Sequence, residues 1–72
     1  MKPHIERMNK ELEDLKEKID KGYAFLNSEN VNDILDGQQK LLLAQQLIAM
    51  EEYHSILSSR IEYDTKKETS ND

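Results

Sequence analysis

The chain has 72 residues, enough for one domain, and 35% charged with 36% apolar residues suit long helices rather than a sheet. The formal net charge of −5, with both signs interspersed, excludes the basic stripe of a DNA or RNA duplex binder. There is no cysteine, hence no disulfide framework or thiolate metal site, and no apolar run approaches the roughly 18 residues of a membrane span.

The lack of cysteine makes an intracellular protein the simpler expectation, and Met1-Lys2-Pro3-His4 has no apolar stretch behind it, so no secretory signal is expected. From about Pro3 to Leu26 the apolar residues Ile5, Met8, Leu12, Leu15, Ile19 and Leu26, with Gly22, alternate steps of three and four. That period predicts an amphipathic helix with a single narrow stripe. Pro3 suits a first turn, where its missing N–H has no intrahelical partner to lose. Glu6–Lys10, Asp14–Lys18 and Glu17–Lys21 stand four apart with the acid first, as on a solvated helix face. Gly22 lies in the stripe near the helix end. It marks close approach of a facing helix, early fraying, or a notch for a ligand.

Residues 27–36 read as a connector. Ser28 or Asn30 can cap a short turn holding Val31, Ile34 and Leu35, which would close the open end of a hairpin. Asp36 and Gln39 have the spacing of a capping box, in which each side chain satisfies the other residue's backbone N–H. A second helix is predicted from about Gly37 to Tyr63, with Leu43, Leu47, Met50, His54, Leu57 and Ile61 as its seam. Residues 64–72 are predicted to be a polar flexible tail. Setting Leu26 near Leu43 places Gly22 against Leu47, Ile19 against Met50, Leu15 against His54 and Met8 against Ile61. The predicted fold is all-α: an antiparallel helical hairpin with a short helical turn between the helices.

The second helix carries more apolar residues than one seam uses. Leu41, Ile48, Ala49, Tyr53 and Ile56, together with Leu42 and Tyr63, lie beside it. A surplus of this kind marks an interface. A single hairpin seam also buries too little to offset chain ordering at about 1.5 kcal/mol per residue. A homo-oligomer is therefore expected, most simply a dimer forming a four-helix bundle, with a foreign partner protein as the alternative.

Few residues suggest chemistry. His54 intrudes on the seam and reads as a half-buried imidazole bonded to a backbone carbonyl, Glu51 or Glu52; its facing residue, Leu15, offers a metal nothing. No metal, cofactor or catalytic set is expected. Tyr23 and Phe25, with Lys18 and Lys21, form one aromatic–cationic cluster. The other is His4, Arg7, Arg60 and Tyr63 at the opposite end, where a ring can stack a base and arginine can fork a phosphate. The second is the preferred ligand-binding candidate. Plain snorkelling of long side chains over the bundle ends is the competing explanation.

From Ile5 to Tyr63, an E-rich first helix ending in AFLNSE followed by LDGQQKLLLAQQLIAMEEYHSIL-SRI resembles short hairpin accessory proteins of crAss-like and other bacterial phages. The resemblance implies a small phage-encoded protein acting in the cytoplasm of the bacterial host, and it carries no catalytic motif. By analogy of size and shape with oligomeric phage sponges, rather than by any aligned motif, the expected function is counter-defence by sequestering a signalling nucleotide. The alternatives are direct inhibition of a host defence protein, CRISPR systems included, and a structural or assembly role.

Overall fold

The computed structural model describes residues 2–69 of the chain. Three helices follow one another: α1 (Pro3–Leu26), α2 (Val31–Ile34) and α3 (Gly37–Thr69). The two long helices pack antiparallel along a body of 57 × 15 × 14 Å. No strand occurs among the described residues, so the fold is an all-α hairpin.

α1 begins directly after Lys2, whose carbonyl accepts the N–H groups of Ile5 and Glu6 at 3.0 and 3.2 Å. It stops where Asn27 donates its N–H to the Tyr23 carbonyl at 3.0 Å. Ser28 then turns its hydroxyl back onto the Phe25 carbonyl at 2.7 Å, so it closes α1 rather than starting α2. Asn30 precedes α2 without a side-chain cap. Val31 alone of the connector is buried; Leu35 is half-buried and Ile34 is exposed. The capping box forms at the head of α3. Gln39 N–H donates to Asp36 Oδ1, and Asp36 N–H to Gln39 Oε1, both at 2.8 Å.

α3 corrects one expectation. The helix does not stop at Tyr63 but runs to Thr69, so the first part of the predicted tail is helical. Glu62 and Lys66 form an i,i+4 pair at 3.0 Å across the predicted stop. Lys66 and Lys67 stand in the last turn, where cations favour the negative end of the helix dipole. No glycine or proline interrupts the run. Residues 70–72 of the predicted tail lie outside the described residues.

The seam is one side chain deep. Ile5, Met8 and Leu57 form a contiguous buried cluster, with Leu12 and Ile61 against it, and Leu15, Ile19 and Leu47 continue the seam toward the connector. Gly22 has a packing reason. A Cβ there would overlap the side chain of Leu47, which is 1% exposed, so α3 meets α1 where α1 has no side chain. On the solvated side, Glu17–Lys21 pair at 2.8 Å and Lys16–Asp20 at 3.2 Å. No ion pair joins Glu6 to Lys10 or Asp14 to Lys18 among the described residues. Such exposed pairs contribute little either way.

Candidate ligand site at the open end and the outer face of α3

The open end of the hairpin is organised by α1's first turn and α3's extension. His4 Nε2 lies 3.5 Å from an Asp64 carboxylate oxygen, so the imidazole is tied to a residue beyond the predicted helix end. Lys2, His4, Asp64, Lys67 and Glu68 line a recess of about 200 Å³ there. Its cations suit a small anion, while Asp64 and Glu68 oppose one. The recess is also smaller than the roughly 300–1,000 Å³ of sites that enclose a drug-sized ligand.

The other members of the predicted cluster are placed differently. Arg7, Arg60 and Tyr63 are exposed, Tyr63 to 67%. No hydrogen bond or ion pair among the described residues joins the three to one another. Tyr63 follows Ile56 by two helical turns, and both belong to the side of α3 turned away from α1. Within one chain, only His4 of the four lines the recess. Asp64, Lys67 and Glu68 were missed in the sequence because the helix was expected to end at Tyr63, and Lys2 was not singled out because the residues it faces there were assigned to a tail. The Glu62–Lys66 spacing was the available signal that it continues.

Leu41, Ile48, Tyr53 and Ile56 are exposed to 52%, 56%, 44% and 61%, and Ala49 is exposed between them. Leu42 at 53% extends the same surface. About half of each of these side chains thus remains uncovered by its own chain.

Midway along the seam, His54 is half-buried. With Lys16, Ile19, Asp20 and Glu51 it borders a second recess of about 280 Å³. Glu51 is engaged elsewhere, accepting a hydrogen bond from the Tyr23 hydroxyl. That bond holds the proton on the phenol, and with smaller contributions from desolvation and the carboxylate's charge it raises the Tyr23 pKa above its ordinary value. Glu17 is held below the usual carboxylate range, and Lys21 above the usual amine range, by their mutual hydrogen bond and charge. No group of three or more metal-ligating side chains occurs among the described residues. No helix among them is long and apolar enough to cross a membrane.

The hairpin thus presents a small recess of mixed charge at one end and an exposed apolar face along one helix. The chain belongs to the Sequestin family, whose model matches residues 2–63 and so takes in α1, the connector and α3 as far as Tyr63. His4, Arg7, Arg60 and Tyr63 all fall inside the matched span. No curated protein and no solved structure matches the chain.

Proposed function

We propose that this protein sequesters a signalling nucleotide, binding it without turnover in the bacterial cytoplasm, and that a phage uses it to blunt host defence. Membership of the Sequestin family carries the reading, since the family name fits a sequestering role. Two features support it. Arg60 and Tyr63 are exposed one turn apart on α3, and the recess at the same end of the hairpin includes Lys2, His4 and Lys67 in its lining. Arginine forks a phosphate and tyrosine stacks a base, so this pair supplies the two contacts a nucleotide needs. A junction between two copies would enlarge the recess beyond what one chain encloses.

A thermal-shift screen against cyclic mono-, di- and trinucleotides and ADP-ribose derivatives tests this. A nucleotide present at 100 times its Kd adds about 2.7 kcal/mol of stability. Arg60→Ala is expected to abolish that gain while leaving the helical circular dichroism signal unchanged. Retained binding in Arg60→Ala would remove Arg60 from the site. The absence of a shift with every nucleotide would favour a second reading, direct inhibition of a host defence protein. The exposed apolar group of Ile48, Tyr53 and Ile56 is the observation behind that alternative.

A further inference from the structure

The outer face of α3 has a repeat of its own. Leu42, Ala49, Ile56 and Tyr63 recur every seven residues, the spacing that holds side chains on one stripe toward a partner helix. All four are exposed. At 3.6 residues per turn the stripe stands roughly 130° round α3 from the seam with α1. Outside its own seam, α1 has only Tyr23, Ala24 and Phe25 as apolar residues after Pro3, all near its C-terminal end. Only α3 can therefore be an inner helix with neighbours on two sides.

The surface area supports a missing neighbour. The chain exposes 5624 Å², whereas a compact monomer of 8.5 kDa exposes about 4,650 Å². The surplus of roughly 970 Å² compares with the roughly 800 Å² that each partner buries in an interface of standard size.

We propose that a second copy of this chain covers the stripe, α3 against α3 and antiparallel, giving a row of helices in the order α1, α3, α3, α1. The stripe is self-complementary in one antiparallel register. Leu42 then meets Tyr63 of the second copy, and Ala49 meets its Ile56, small against large. A shift of one heptad either way leaves an end of the stripe uncovered. A parallel pairing sets Ala49 against Ala49, leaving a gap beside two isoleucines, and aligns the two helix dipoles unfavourably. The stripe itself carries no charge, so each copy's net charge lies outside the contact. Glu52 flanks the two-fold axis, where the paired carboxylates splay into solvent and are screened by salt. Tyr63 ends the stripe, so one ring face rests on the second copy while the other remains open beside Arg60. The contact itself does not depend on the proposed nucleotide.

Because the chain has no cysteine, the contact can be read directly by disulfide formation. Sedimentation equilibrium of the unmodified protein should give twice the chain mass, and Ile56→Glu should give the single-chain mass. Mixing Ala49→Cys protein with Ile56→Cys protein and oxidising should yield the mixed disulfide. Each variant alone should stay unlinked, because in this register its thiols lie about 10 Å apart along the axis, beyond disulfide reach. A monomeric wild type, or a dimer that survives Ile56→Glu, overturns the surface. Self-linked Ala49→Cys or Ile56→Cys without the mixed product overturns the register. The cysteine variants add no charge, so they remain informative should Ile56→Glu unfold. All readouts are made without nucleotide, so this proposal and the sequestration reading can fail separately.

Discussion

Gly22 shows how one missing methyl sets the distance between two helices. In an isolated helix, alanine in place of glycine would gain about 1 kcal/mol. Here the added methyl meets buried Leu47, and overpacking of this kind costs about 1–3 kcal/mol. Gly22→Ala is therefore expected to lower stability on balance. Leu47→Ala should cost about 2–5 kcal/mol. The pair together should cost less than the sum, because the new methyl partly fills the cavity. Urea denaturation of the two single variants and the double variant checks this, and strict additivity would show that the two residues do not share the space. Tyr23 makes a second prediction at this scale. Its phenol donates to Glu51 and has a raised pKa, so the bond's contribution is fully present below the phenol's ordinary value near 10. It is lost as pH rises through the higher folded value. The stability difference between the wild type and Tyr23→Phe should be constant near neutral pH and shrink in alkali, as read by melting curves across that range.

At the scale of elements, α3 has defined chemistry at its start and gradual support at its end. Asp36→Ala removes an oxygen that accepts the Gln39 N–H and should cost about 1 kcal/mol, measured by urea titration; Gln39→Ala should cost less, since it leaves that N-cap bond intact. The capping box, the two seams and the approach of Gly22 to Leu47 were legible in the sequence, because each rests on fixed spacing. The end of α3 was not. Polar residues such as Asp64, Thr65 and Lys67 suit a helix or a tail equally, and the approach of His4 to Asp64 from the other helix is tertiary, with no mark in local spacing. The same error concealed the open-end recess, three of whose lining residues lie past Tyr63. The exposed surface of α3 was legible as a surplus of apolar residues. Its seven-residue order emerges once the seam is fixed and can be subtracted.

For the whole molecule, a one-layer seam makes stability depend on what covers α3. Seven apolar side chains are buried among the described residues, a small core for a chain of this length. If two copies fold together, the melting temperature should rise with protein concentration, as mass action requires, and Ile56→Glu should remove that dependence. Calorimetry at several concentrations makes the comparison. A concentration-independent transition in the wild type would mean that the hairpin is stable alone.

The placement of the buried cluster also orders events in time. Ile5, Met8 and Leu57 meet at the end farthest from the connector, so the largest burial waits for closure of the longest loop in the chain. The capping box and the contact of Gly22 with Leu47 lie near the turn and can form first. The hairpin is thus expected to zip from its connector and lock last at its open end. Leu47→Ala should chiefly slow folding, whereas Leu57→Ala should chiefly hasten unfolding, in stopped-flow experiments. The candidate nucleotide site borders that final lock, so a captured ligand would act as a brake on unfolding rather than as an aid to folding.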